Sequence, residues 1–368
     1  MLERTDHQLV DLLSTRMRLS RFVEECKRDK GESIVHKERE DDRLTKVDQW
    51  AKENKINPHF ARAVLYFIID ESCKVQLMQL QGEHGELISH LNEDDYYAAL
   101  KASLLALTSV IAIDYDKEYI KPFSATHAYL RYEKRVMKEL FATLPRCELA
   151  IDLGCATGHK ALQLLNPAYG GFAQVIGYDS SLAMIKQANM NRANKGISSD
   201  VAKFEEHDVE LGLPISNGSV SFAVMNLGTA SDIRNIRGLL HELDRVLIPG
   251  GKALLSFYNS EALLYQIGFL PWSVSLAAEI DMKKHCLNVH YNGQEYSVYA
   301  HAYTFEEVCG MLPPGIKIET SSTYPTLCSV MPSTVLGNTG IMDRLEEVDR
   351  AIAHLKSGAY ILVILYKD

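Results

Sequence analysis

No apolar run in this 368-residue chain approaches the roughly 18–20 residues that a membrane-spanning helix needs. The nearest, Ala102–Ile113, is too short and reads as a buried helix. Charge begins at Glu3 and no apolar core follows, so no secretory signal is expected. The seven cysteines form no C-x-x-C pair, and an odd count argues for reduced thiols and a cytoplasmic setting. The 13 histidines show no ligand spacing, so no metal site is expected. Positive charge is also short. The net charge of −9 makes nucleic acid a poor partner, and nothing points to a membrane. Internal repeats and low-complexity segments are missing.

What remains is ordinary soluble-protein composition, 46% hydrophobic and 24% charged, at a length that predicts two or three domains. Two textures divide the chain. Helical period dominates residues 5–80 and ends at Gln81-Gly82-Glu83-His84-Gly85. One more apolar helix reads over 94–113, a polar irregular stretch over 114–124, and another helix over 126–143. From Glu148 short β-branched runs alternate with helical stretches: Leu149–Leu153, Ala173–Tyr178, Ala202–Glu206, Val220–Asn226 and Lys252–Tyr258. That alternation predicts a parallel sheet built from βαβ units.

Three helices are expected in the first unit, over 5–27, about 36–54, and from the Asn57-Pro58 cap to about residue 80. The first has an apolar face at Leu9, Leu12, Leu13 and Val23, with Ser20 in the same stripe. Arg16 and Lys27 fall in that stripe as well. Glu40, beside Arg39, lines up with Leu44, Val47 and Ala51. Ser72 and Gln76 continue the row Ala61, Leu65, Ile68. Buried charges need partners. These residues describe either a pocket for a small dianion or a wet polar network inside a bundle or at an interface.

The stretches Leu12–Leu19, Lys37-Glu38-Arg39-Glu40 and Phe67–Ser72 resemble the all-helical chorismate mutase family, without a gap from Asp6 to Gln76. The resemblance implies a three-helix chain in an intertwined homodimer. It implies that Arg16 holds a substrate carboxylate, Lys27 and Gln76 donate to the ether oxygen, and Glu40 accepts from the ring hydroxyl. Arg39 and Ser72 become further pocket contacts, and the set is the expected catalytic group. The reaction, chorismate to prephenate, is pericyclic and needs only a held conformer and stabilisation of charge on the ether oxygen. His36 stands where the family often has an acid. The family's arginine that reaches into the neighbouring pocket would precede Met1, so the expectation is a slow mutase, one that borrows a cation elsewhere, or a domain that only binds ligand and dimerises.

The second unit carries Leu149–Gly158, a strand running into a glycine turn and a helix, where backbone can approach a ligand closely. Asp179 ends the next strand, Asp208 and Val209 follow the third, and Leu243–Gly251 precedes the fifth. This set resembles class I S-adenosylmethionine-dependent methyltransferases over about 126–368, with a Rossmann-like doubly wound sheet and an antiparallel last strand at Gly358–Leu365. The resemblance implies that Asp152, Gly154 and Gly158 shape the methionine end of the cofactor site. Cys155 lies in the same loop, where a small residue suffices. Asp179 would hold the ribose, Asp208 and Val209 would flank the adenine, and Asn226 would face the sulfonium. A dinucleotide site would need G-x-G-x-x-G, whereas this turn is Asp-x-Gly-x-x-x-Gly, which disfavours a fused prephenate dehydrogenase. A substrate lid is expected from 259–305, with a hairpin about Asn292-Gly293 and candidate contacts His290, Tyr291, Tyr299 and His301.

The expected organisation is therefore α plus α/β: residues 1–85 a mutase-like unit, 86–125 a helical connector, and 126–368 a methyltransferase. The expected function couples the mutase step to methylation of prephenate or a derived 2-oxo acid, with S-adenosyl-L-methionine as cofactor.

Overall fold

A computed structural model describes residues 2–30, 37–79, 92–119, 124–145, 147–267, 277–291 and 294–368. The first unit is α1 (Leu2–Lys30), α2 (Lys37–Glu53) and α3 (Pro58–Gln79), with α3 packed on both others. Asn57 starts α3 by accepting the His59 N–H at 2.9 Å. Val47, Ala51 and Ile69 are buried between the helices, and Arg62 of α3 donates to Asp48 of α2 at 3.2 Å. The stripe read as the core face of α1 is not covered within one chain. Leu9 is 54% exposed, Leu12 68% and Val23 42%, and Phe22, Phe60 and Phe67 are exposed with them. Three helices of this length offer more apolar surface than their own contacts can bury.

Helix α4 (Glu93–Ile111) starts at Asn92, whose side chain accepts the Asp95 N–H, and three acids fill its first turn. Inside the stretch expected to be irregular lies a short helix, α5 (Tyr115–Tyr119). Isolated propensity misses so short an element. Helix α6 (Ala125–Phe141) is capped by Ser124 and buries Ala128, Tyr129, Glu133, Met137 and Leu140.

A seven-stranded sheet follows, in the order β3-β2-β1-β4-β5-β10-β9. Its strands are β1 (Leu149–Leu153), β2 (Gln174–Asp179), β3 (Ala202–Glu206), β4 (Val220–Met225), β5 (Leu247–Tyr258), β9 (Ile316–Tyr324) and β10 (Tyr360–Lys367). The first five are parallel, and β10 runs antiparallel between β5 and β9. Alternation sends successive side chains to opposite faces. Ile151, Ala223 and Met225 join one core, with α9 (Ile236–Val246). Ala150, Phe222 and Val224 join the other, with α6, α7 (His159–Leu164) and α8 (Leu182–Asn194). Both faces are covered, which is why these strands read as apolar runs. Strand β9 at the sheet edge has mostly polar side chains and gave no such run.

A second, antiparallel sheet has the order β6-β7-β8, from β6 (Ala277–Asp281), β7 (Cys286–Tyr291) and β8 (Gln294–Tyr299). The expected hairpin is present with Tyr291 opposite Gln294; its turn, Asn292-Gly293, lies outside the described residues. Strand β6 adds a third member. Helix α4 packs against β8 and α8. No described helix is long and apolar enough to cross a membrane.

Candidate active site at the carboxyl ends of the central strands

Open α/β sheets place ligands beyond the carboxyl ends of their strands. Here the turn after β1 is held against β2, with the Gly154 and Cys155 N–H groups donating to the Tyr178 carbonyl at 2.8 and 2.9 Å. Gly154 and Gly158 have φ of +73° and +76°, a region that L side chains avoid. A Cβ on Gly154 would stand 2.6 Å from Thr229 Cγ2, and one on Gly158 2.6 Å from the Phe204 ring. The turn is thus fixed in shape, with its backbone open toward the cleft.

Two cavities flank it. One, of about 180 Å³, is lined by Gly154, Asp179, Asp208 and Val209. The other, of about 240 Å³, is lined by Asp152, Gly154, Cys155 and Asn226. Asp179 accepts the Ala156 N–H at 2.9 Å on one oxygen and the Ser181 N–H at 2.8 Å on the other. Each oxygen keeps a lone pair for a ligand hydroxyl. Burial raises the Asp179 pKa, opposed by those two donors. Cys155 is buried and its thiol pKa is raised by that burial, so it is a packing residue beneath the turn and not a nucleophile.

Asp152 is a buried acid of the site. It is 1% exposed, and one oxygen accepts the Ala161 N–H at 3.0 Å. The other oxygen is buried without a hydrogen-bond partner. Burial pushes its pKa up to about 7, against the opposing pull of Lys160. Lys160 is itself buried in an ion pair with Glu133 of α6. A buried acceptor without a donor is costly, and a ligand with a donor relieves it.

Sequence reasoning missed the contribution of α4. Tyr97, Lys101, Leu104, Leu107, Thr108 and Ile111 line the cavity that holds Asp179 and Asp208. Lys101 is paired with Asp208, and Tyr97 donates to Glu210 at 2.5 Å. Arg234, from the loop before α9, clamps the start of α4 through Glu93 at 3.0 Å and Asp94 at 2.8 Å. A usable signal was present: Tyr97, Lys101, Leu104 and Thr108 recur at helical spacing, with a lysine in an otherwise apolar row. Asp232 was missed too. It lines the same cavity, one of its oxygens is buried without a partner, and burial raises its pKa well above the ordinary value. Of the hairpin candidates, Tyr299 lines that cavity. His290 and Tyr291 are buried, and His301 stacks on His285 with ring centroids 4.4 Å apart.

In the helical unit, Ser72 is buried and its hydroxyl donates to the Ile68 carbonyl at 2.7 Å. Ser20 does the same to the Arg16 carbonyl at 3.0 Å. Arg16 is half-buried on the same turn of α1. Lys27, Arg39, Glu40 and Gln76 lie on the three helices, with side chains outside the described residues.

Residues 2–77 match the family model for chorismate mutase type II, and residues 148–304 match one for a methyltransferase domain. This chain joins a chorismate mutase type II domain to a methyltransferase domain. The cleft around Asp152 and Asp179 lies within the second of these matches, and Arg16 and Ser72 lie within the first. No curated protein matches the chain in sequence. Similar solved structures include an S-adenosylmethionine-dependent methyltransferase from Clostridium acetobutylicum, with a TM-score of 0.46 at 14% identity, covering 73% of this chain and 99% of that one. Another is the putative methyltransferase solved in complex with the Haloferax volcanii Trm112 activator, with a TM-score of 0.44 at 15% identity over 71% and 97% of the two chains. A third is geranyl diphosphate C-methyltransferase from Streptomyces coelicolor, with a TM-score of 0.42 at 16% identity over 65% and 81%.

Proposed function

We propose that the methyltransferase domain binds S-adenosyl-L-methionine across the two cavities and methylates prephenate, or a 2-oxo acid derived from it, that the mutase domain supplies. The observation that carries the cofactor reading is the buried, unpartnered oxygen of Asp152 beside a glycine turn whose Cβ positions are already filled. A cationic ammonium satisfies that oxygen. Asp179 takes the ribose hydroxyls, Val209 packs on the adenine, and Asp208 accepts from its amine after Lys101 yields. Asn226 faces the sulfonium. When bound, the cofactor supplies an electrophilic methyl group. The protein's own work is then to orient the acceptor and exclude water, and α4 closes the cleft over Asp208.

In the mutase domain, Arg16 grips a substrate carboxylate, Lys27 and Gln76 donate to the breaking ether bond, and Glu40 accepts from the hydroxyl. Arg39 and Ser72 complete the pocket. The exposed apolar stripe at Leu9, Leu12, Phe22 and Val23 supports a homodimer through this domain. On this reading residues 1–85 form the mutase, 86–125 the connector and 126–368 the methyltransferase, with the connector's α4 serving the cleft. The test is calorimetric titration with S-adenosylhomocysteine, together with the loss of chorismate absorbance. Binding in the first and a rate above the buffer blank in the second support the proposal. Failure of either removes that domain's part of it.

A further inference from the structure

Asp179, Asp208, Glu210 and Asp232 line one cavity, and among the described residues Asp232 alone of these acids has no partner. Asp179 accepts two backbone N–H groups, and Asp208 is paired with Lys101. Glu210 accepts from the Tyr97 hydroxyl and from the Asn235 N–H at 2.9 Å. One oxygen of Asp232 is buried and orphaned, and the residue keeps partial exposure where it lines the cavity. The turn that carries it, Thr229–Asp232, is firmly held. The Ser231 hydroxyl accepts the Tyr258 N–H at 2.8 Å, and the Ser231 carbonyl accepts the His301 N–H at 2.9 Å. The Thr229 N–H donates to the Asn226 carbonyl at 3.0 Å. The fold thus fixes a bare carboxyl in place at a cost, and a ligand that offers it a hydrogen relieves that cost.

Its place in the sheet separates Asp232 from the groups assigned to the ribose and adenine. In the order β3-β2-β1-β4-β5, Asp179 and Asp208 follow β2 and β3, on one side of the β1 turn. Asp232 follows β4, on the other side. Ile233, Tyr258 at the end of β5, and Tyr299 of β8 line the cavity with it. Leu227 and Thr229, which lie between Asn226 and Asp232 in the chain, line both cavities, so this turn borders their junction. We propose that Asp232 is the proton acceptor of the methylation step, and that the atom methylated is the carbon beside the carbonyl of a 2-oxo acid. A carboxylate oxygen of such an acid is already ionised at neutral pH and needs no base. The carbon does need one, because its electron pair is freed only when a proton leaves. The C–H bond breaks, its pair passes into the enolate, and the proton stays on Asp232 until solvent takes it. Burial, which raises the Asp232 pKa, makes its ionised form the stronger base. The inference rests on the methyl-transfer reading above and names the acceptor atom and its base.

The test uses the full chain with S-adenosylhomocysteine in deuterated buffer, and phenylpyruvate as the 2-oxo acid. No methyl group can be transferred, so proton removal is read by itself, as loss of the C3 proton signal in nuclear magnetic resonance. The wild type should exchange C3 faster than the buffer blank. Asp232→Asn should slow the enzyme-dependent exchange by about 10²-fold or more, the worth of a positioned base. It should bind S-adenosylhomocysteine within about twofold of the wild type in calorimetry. Asp232→Glu should restore part of the exchange. Wild-type exchange at the blank rate with S-adenosylhomocysteine bound, or exchange by Asp232→Asn equal to wild type, would overturn the inference and leave the cofactor site standing. Loss of exchange together with loss of S-adenosylhomocysteine affinity would make Asp232 a structural residue and overturn it too. If the wild type does not bind S-adenosylhomocysteine, the reading beneath the inference fails with it.

Discussion

Asp152 makes cofactor binding sensitive to pH near neutrality. Its pKa of about 7 follows from full burial, only partly offset by Lys160 and the Ala161 N–H. A carboxyl with that pKa is about nine-tenths protonated at pH 6 and about nine-tenths ionised at pH 8. Only the ionised form accepts from an ammonium and neutralises it. The affinity for S-adenosylhomocysteine should therefore rise about tenfold from pH 6 to pH 8, with about half a proton released per ligand bound at pH 7. Calorimetry in buffers of different ionisation enthalpy measures both. Asp152→Asn keeps an oxygen for the Ala161 N–H and cannot titrate, so its affinity should be low and flat with pH. Stability gives a second reading. A folded-state pKa raised above 3.8 means that this group's contribution is fully present below that value and is lost as pH rises through about 7. Asp152→Asn should accordingly melt above the unliganded wild type at pH 8 and show little gain at pH 4. A wild-type affinity that does not change between pH 6 and pH 8 would refute the reasoning.

Asp179→Ala should weaken S-adenosylhomocysteine at least tenfold, because a carboxylate serving two hydroxyls contributes about 1.5–3 kcal/mol, while chorismate turnover stays nearly unchanged. Unaltered affinity in a titration would remove Asp179 from the ribose. Light scattering of the full chain should give twice the chain mass, and the double substitution Leu12→Glu, Phe22→Glu should give a monomer; a monomeric wild type at micromolar concentration would contradict the intertwined arrangement. Lys27→Ala should slow chorismate turnover by about 10²-fold or more, since its stabilisation grows as charge develops on the ether oxygen. Gln76→Glu should keep activity only at acidic pH, where the new side chain can donate, and a flat pH profile would argue against that contact.

The central strands were legible because both faces of each are buried, so Leu149–Leu153 and Val220–Met225 are apolar apart from Asp152 and Ser221. The glycine turn and its acids were legible for a related reason, since close backbone approach and buried carboxylates each restrict residue choice. Strand β9 was not, because an edge strand with a solvated face carries Lys317, Glu319 and Thr320 and no periodic apolar signal. Helix α4 was read correctly as an element, yet its place over the cleft depends on long-range contacts, Tyr97 with Glu210 and Lys101 with Asp208. Asp232 had no local signature; only folding reveals that it is buried beside a cavity. In the mutase domain the polar positions interrupting each apolar row were visible from spacing alone. The exposure of Leu9 and Leu12 was not, because periodicity says which residues share a face and not what covers it.

The two-site account is tested most directly by incubating the purified chain with chorismate and methyl-labelled S-adenosylmethionine and following the products by mass spectrometry. The account predicts that chorismate is consumed and that the label appears in prephenate or in a 2-oxo acid derived from it, with S-adenosylhomocysteine formed in equal amount. Consumption of chorismate with all label left in S-adenosylmethionine, or no consumption at all, would contradict it.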